Sequence, residues 1–300
     1  MDLSNFEKDN TKNCLLESPV PECSTTEACC LGIDEAGRGP VLGPMVYGTC
    51  YSPLSAQDKL KEIGLADSKT LSEEQREEMF KKMCEAQDYV GWMVEILSPT
   101  FISNSMLKRS KYNLNALSHD SAIGLIQKVL DKGVNVKEVY VDTVGDPDKY
   151  QAKLKAIFPS LDITVAKKAD ATYPIVSGAS ICAKVSRDHA VKGWKFEDGI
   201  SGEDLAYGSG YPSDPATKKF MASNMDPVFG FPQFVRFSWS TASHILEKEA
   251  EIMEWEDDED EEDTGGSASL LTFFNKKGED SRLQRHRYFK ERNLSSVAVL

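Results

Sequence analysis

Histidine is scarce in this chain: His119, His189, His244 and His286 are all it has among 300 residues, too few for a histidine-rich metal centre. The seven cysteines are odd in number, form no Cys-x-x-Cys pair and have no histidine at zinc-finger spacing. Reduced thiols are therefore expected rather than a disulfide framework or a thiolate zinc site. No apolar run approaches the roughly eighteen residues of a membrane helix. The opening stretch from Met1 to Asp9 lacks the basic-then-apolar pattern of a secretion signal, so an intracellular protein is expected. Basic charge is also short, with a net charge of -13, whereas phosphate binding usually leaves a basic footprint. Much of that deficit is local. Residues 254–263 hold nine acids and no base, which leaves the remainder only mildly acidic and with room for a basic groove.

What is present suffices for a full hydrophobic core, at 40% hydrophobic and 9% aromatic residues. Residues 1–27 are polar and weakly periodic and read as a flexible N-terminal arm. Residues 28–250 read as one domain, residues 251–266 as an acidic linker, and residues 267–300 as a tail for partner contact. Within the domain, apolar runs at 28–34 and 45–51 flank a glycine- and proline-rich turn and predict a strand pair. Ser72 followed by acids predicts a helix start. Strands at 90–97, 139–142 and 163–166 alternate with helices at 113–132, 147–158 and 177–195. That order predicts an α/β fold with a mixed β-sheet flanked by helices, and a helical C-terminal extension leading into the tail. Trp194, Phe220, Phe229, Phe234 and Trp239 are expected in the core.

Three acids fall where apolar strands stop: Asp34 with its neighbour Glu35, then Asp142, then Asp170. Any one of them would be read as opening a turn or capping a helix. Brought together at one edge of a sheet, their like charges would raise one another's pKa unless a cation neutralised them. An all-oxygen donor set points to Mg²⁺ or Mn²⁺ rather than zinc. Paired ions of that kind suit phosphodiester hydrolysis. The residues by themselves reach an acidic metal site suited to phosphoryl transfer, and no further.

The segment Gly32-Ile33-Asp34-Glu35-Ala36-Gly37-Arg38-Gly39-Pro40-Val41-Leu42-Gly43-Pro44 closely resembles the signature of the type 2 ribonucleases H. Further matches follow in the family's order at Asp67-Ser68-Lys69, Val141-Asp142, Lys168-Ala169-Asp170, 183–188 and Gly208-Ser209-Gly210-Tyr211-Pro212. The resemblance implies a ribonuclease H-like mixed sheet and four metal-binding, catalytic acids, Asp34, Glu35, Asp142 and Asp170, holding two Mg²⁺ or Mn²⁺ ions. It implies cleavage of the RNA strand of RNA/DNA hybrids, and cutting 5′ to single ribonucleotides embedded in duplex DNA, leaving 5′-phosphate and 3′-hydroxyl ends. Gly37, Arg38 and Gly39 are expected to read the ribose 2′-OH, because glycines let the backbone approach a sugar closely. Tyr211 is expected to contact the same hydroxyl and stack on the next sugar. Lys69, Lys184 and Arg187 are expected on phosphates, the latter two sharing a helix face at i and i+3, and Asn113 as a further polar contact.

Eukaryotic members of that family work as heterotrimers with two non-catalytic subunits, which the extended C-terminus suits. In the tail, Leu270, Phe273 and Phe274 resemble the apolar positions of a sliding-clamp binding box, with Ser267 where the usual glutamine would stand. Residues 286–289 offer an aromatic anchor in a basic stretch, a set enriched at interfaces. The nucleus is the expected compartment, with the cytosol as the alternative. The rival reading is a non-catalytic nucleic-acid-binding scaffold of the same fold, against which stands the retention of all four acids.

Overall fold

The structure, a computed structural model, describes residues 1–65, 71–110, 112–196 and 206–251. In chain order the described elements are α1 (Ser4–Lys8), β1 (Cys14–Glu17), α2 (Cys23–Thr26), β2 (Cys29–Ala36), β3 (Met45–Pro53), α3 (Gln57–Ile63), α4 (Glu73–Glu85), β4 (Gly91–Leu97) and α5 (Pro99–Met106). There follow α6 (Leu114–Asp131), β5 (Val136–Asp142), α7 (Pro147–Ile157), β6 (Asp162–Ala166), α8 (Ala169–Thr172), α9 (Pro174–Lys192), α10 (Pro215–Ser223) and α11 (Ser240–Glu249). Local chemistry sets several of these boundaries. Ser72 forms a capping box with Gln75, each side chain taking the other's amide proton, at 3.3 and 2.7 Å. Ser98, Asn113, Asp146 and Asp214 cap α5, α6, α7 and α10, and three of these four helices carry proline in the first turn.

The six strands form one sheet in the order β1-β4-β3-β2-β5-β6. The first four pair antiparallel, while β2, β5 and β6 run parallel. Apolar side chains alternate across the sheet and build a core on each face. One packs Val46, Cys50, Val94 and Ile96 against Val176, Ala179 and Ala183 of α9. The other packs Leu31, Ile33, Val139 and Val141 against Leu117, Leu125 and Ile126 of α6. This is the expected mixed sheet flanked by helices.

Two glycines let α9 lie on the sheet backbone. A Cβ at Gly32 would stand 2.4 Å from the Ile175 carbonyl oxygen, and one at Gly48 would stand 2.5 Å from that of Ala179. Neither position can accept a larger residue without lifting the helix.

Two expectations are corrected. Residues 1–27 do not form a flexible arm: β1 is the edge strand, with Cys14 opposite Ile96 and Glu17 opposite Met93, and Phe6 is buried against Trp194. Phe229 is not core but 71% exposed, whereas Phe220 and Phe234 are buried as expected. The acidic linker beyond residue 251 and the tail, with Leu270, Phe273 and Phe274, lie outside the described residues.

Candidate active site

Sheet register brings the acids together. Ile33 pairs with Val141 across the parallel β2–β5 ladder, so Asp34 and Asp142 follow at the same level on adjacent strands, which run about 4.8 Å apart. Asp142 in turn pairs with Ala166 on β6, and the chain then turns through Lys168 into α8, which carries Asp170 in its first turn. Lys168 is the one non-glycine with positive φ among the described residues, at 56°, a conformation that L-residues adopt at some cost. The turn is held by Asp142, whose Oδ1 accepts the Ala169 amide at 2.9 Å.

Asp34 and Glu35 do not end their strand as expected but lie inside β2, which runs on to Ala36. Successive residues of a strand alternate in direction. Asp34 faces α9, is only 5% exposed, and accepts the Glu35 amide at 2.8 Å together with the Ser180 hydroxyl. Burial pushes its carboxyl up to about 7, the charges of Asp142 and Asp170 push the same way, and the two hydrogen bonds oppose. Glu35 lines the groove described below, and its charge adds to burial in raising the phenols of Tyr47 and Tyr150. The acids do not close into a finished cage: among the described residues no group of three or more His, Cys, Asp or Glu is disposed to hold a metal ion. Asp34, Asp142 and Asp170 are nonetheless near enough to feel one another's charge, and an all-carboxylate set fits a hard divalent cation.

The raised Asp34 carboxyl makes stability depend on pH. Its folded pKa of about 7 lies above the ordinary value of 3.8, so between roughly pH 4 and 7 the folded chain holds a proton that the unfolded chain has released. Without divalent metal, Asp34 therefore favours folding most below that window, and its contribution is lost as pH rises through it. Asp34→Asn should flatten this slope, and the variant's melting temperature should exceed that of the wild type at pH 8 in EDTA. Parallel melting curves for the two proteins at all pH values would contradict this origin of the shift.

Beside the acids is a groove of about 390 Å³ lined by Glu35, residues 36–39, Arg76, Lys184, Arg187, Asp188 and Tyr211. Gly37 has φ +75°, and a Cβ there would stand 2.1 Å from Arg187 Nε, so only glycine fits. A Cβ at Gly39 would lie 3.1 Å from the Tyr211 ring, which is 51% exposed and so available to a ligand. Lys184 and Arg187 share one face of α9, as their spacing predicted. Lys69 lies outside the described residues. Asn113 serves α6 as its N-cap, taking the Ala116 amide at 3.0 Å.

Sequence reasoning missed two supports of the 37–39 loop. Asn115 accepts a hydrogen bond from the Arg38 guanidinium. Arg236, with no exposed surface, donates to the carbonyl oxygens of Gly37, Arg38 and Gly43 at 2.6, 3.2 and 2.8 Å, and its guanidinium lies 5.0 Å from the Trp239 ring centre. The one local hint was an arginine set among Phe234, Val235, Phe237 and Trp239.

The family pattern described as Ribonuclease HII matches residues 31–242, spanning all of these groups. The chain belongs to the ribonuclease HII family. It is therefore a ribonuclease H. A ribonuclease H2 subunit of Bos taurus is 57% identical over 300 residues, covering 100% of both chains. Ribonuclease H2 from Pyrococcus horikoshii OT3 is 33% identical, with a TM-score of 0.60 over 73% of this chain and 97% of that one. Ribonuclease HII of Archaeoglobus fulgidus, solved as a complex with PCNA, is 29% identical with a TM-score of 0.58, covering 72% and 96%. Bst-RNase HIII, solved in complex with Mn²⁺, shares the fold at 17% identity and a TM-score of 0.55, covering 77% and 73%. Divalent metal binding thus occurs among ribonucleases of this fold.

Proposed function

We propose that this chain is the catalytic subunit of a ribonuclease H that hydrolyses the RNA strand of RNA/DNA hybrids and cuts 5′ to single ribonucleotides embedded in duplex DNA. The observation that carries the reading is the placement of buried Asp34 and Asp170 and half-buried Asp142, whose charges act on Asp34, beside a groove walled by Gly37, Arg38, Gly39 and Tyr211. Asp34, Asp142, Asp170 and Glu35 would hold two Mg²⁺ or Mn²⁺ ions, which when bound supply Lewis-acid stabilisation of the attacking and leaving oxygens.

The chain's own groups do the rest. The Ser180 hydroxyl and the Glu35 amide orient Asp34, and the Ala169 amide orients Asp142. The backbone of 37–39, fixed by Arg236 through the Gly37 and Arg38 carbonyls, has no Cβ at Gly37 or Gly39 to keep a sugar at a distance, which suits recognition of a 2′-OH. Lys184 and Arg187 neutralise backbone phosphates. Cleavage leaves 5′-phosphate and 3′-hydroxyl ends.

The subunit reading extends to partners: a heterotrimer with two non-catalytic subunits in the nucleus, the 267–300 tail contacting them, and a sliding-clamp contact through Leu270, Phe273 and Phe274. The test incubates the full-length chain, co-expressed with those subunits, with Mg²⁺ and a DNA duplex carrying one ribonucleotide. Cutting on its 5′ side supports the proposal. Binding without cutting would favour the scaffold reading.

Tyr211 allows a finer check. Its ring rests over Gly39 with half its surface open, so Tyr211→Phe removes a hydroxyl and leaves the packing intact. Cleavage at the single ribonucleotide should fall about tenfold more than cleavage of a continuous hybrid, the order expected for one lost hydrogen bond. Equal losses on both substrates would remove Tyr211 from junction recognition.

A further inference from the structure

Arg76 lines the same groove but belongs to none of the motifs that pointed to it. It sits in the first turn of α4, where Nη1 donates to the Leu71 carbonyl at 3.0 Å and Nη2 to Asp188 Oδ2 at 2.9 Å. Both members of the pair are largely buried, at 19% and 23% side-chain exposure. Two more exposed pairs flank it between the same helices, Glu77 with His189 at 2.5 Å and Glu73 with Lys192. Of the three, only the Arg76–Asp188 pair faces the groove.

Asp188 adjoins Arg187 in the chain, and its charge acts on the Arg187 guanidinium. Arg187 is half of the expected phosphate-binding pair, and its Nε is buried without a hydrogen bond among the described residues. An acid next to a phosphate-binding cation both competes for it and repels the phosphate. We infer that Arg76 is a positioning residue: by holding Asp188 it keeps that carboxylate off Arg187 and leaves the Arg187 guanidinium to a backbone phosphate of the bound nucleic acid. The Leu71 bond ties the same guanidinium to the chain just after the segment that carries Lys69. The inference rests on the groove being the substrate site.

The experiment compares wild type, R76Q, D188N and R76Q/D188N in the complex assembled from full-length chains, on an RNA/DNA hybrid over a range of salt. R76Q should raise KM about tenfold with kcat within about twofold, and should flatten the slope of log affinity against log salt by about one unit, the signature of one lost phosphate contact. Removing the acid as well should restore KM to within about threefold of wild type. A double variant as weak as R76Q would show that Arg76 itself meets the substrate and would overturn the inference, as would an R76Q KM within twofold of wild type. If R76Q fails to fold, R76K decides: it keeps a cation beside Asp188 and should hold KM near wild type, and a tenfold rise would overturn the inference. A wild-type complex that does not cut the hybrid would defeat the proposed function instead.

Discussion

Asp34→Asn is expected to abolish cleavage while leaving the chain folded. Asparagine preserves the shape of the side chain and can still accept from the Ser180 hydroxyl and the Glu35 amide that hold Asp34 in place. What it removes is a charge from the acid cluster, and on the proposed function this would loosen the hold on a divalent ion. Lewis-acid stabilisation in such sites is worth several kcal/mol, and about 1.4 kcal/mol corresponds to a tenfold change in rate. The expected fall in kcat is thus on the order of a thousandfold or more, measured in single-turnover cleavage. Melting curves should move the opposite way in EDTA at alkaline pH, because the variant no longer buries a carboxylate that burial and two like charges disfavour. Adding Mn²⁺ should stabilise the wild type and leave Asp34→Asn unmoved. Cleavage within tenfold of wild type would refute the assignment of Asp34 to metal binding.

Arg236→Met is expected to be the most damaging change outside the acids. Methionine approximates the length and apolar stem of the side chain but strands the carbonyl oxygens of Gly37, Arg38 and Gly43, all of which now accept from one buried guanidinium. A buried polar group left without its partner costs about 1–3 kcal/mol, so a loss of roughly 3 kcal/mol or more in unfolding free energy is expected, read by urea denaturation. For a domain of this size that corresponds to a melting temperature lower by about 6–12 °C. Because the same bonds shape the 37–39 loop, kcat/KM should fall on both the hybrid and the single-ribonucleotide duplex. A variant with wild-type stability would mean the carbonyls find other donors. One with wild-type activity would mean the loop holds its shape unaided.

The contrast between these two residues marks what could be read from the sequence. Asp34 stands out because it interrupts an apolar strand within a glycine-rich segment, and both features are local. The strands β2 to β6 and the cap at Ser72 were legible for the same reason, since period and capping chemistry act within a few residues. Arg236 was not legible, as its partners lie 193 to 199 positions earlier in the chain, and an arginine seen alone reads as a solvated charge. The short strand β1 escaped because four residues carry too little alternation, and its stability comes from pairing with β4, some eighty positions away. Helix α5 escaped although Ser98 and Pro99 announce it, because it follows β4 without a break and ends within eight residues. Asn113 and Asn115 show a finer limit. Both lie at the start of α6, but capping claims the first while helical rotation turns the second towards Arg38.

The seating of α9 on bare backbone at Gly32 and Gly48 has a consequence for how the enzyme loses function on heating. Ser180 belongs to that helix and Asp34 to the strand beneath it, so they can part only if the helix leaves the slab. A helix wedged against main-chain atoms has no intermediate resting place one residue along. The Asp34–Ser180 contact therefore belongs to the least frayed part of the fold, and it is expected to be lost together with the seating of α9, in the step that opens the slab itself.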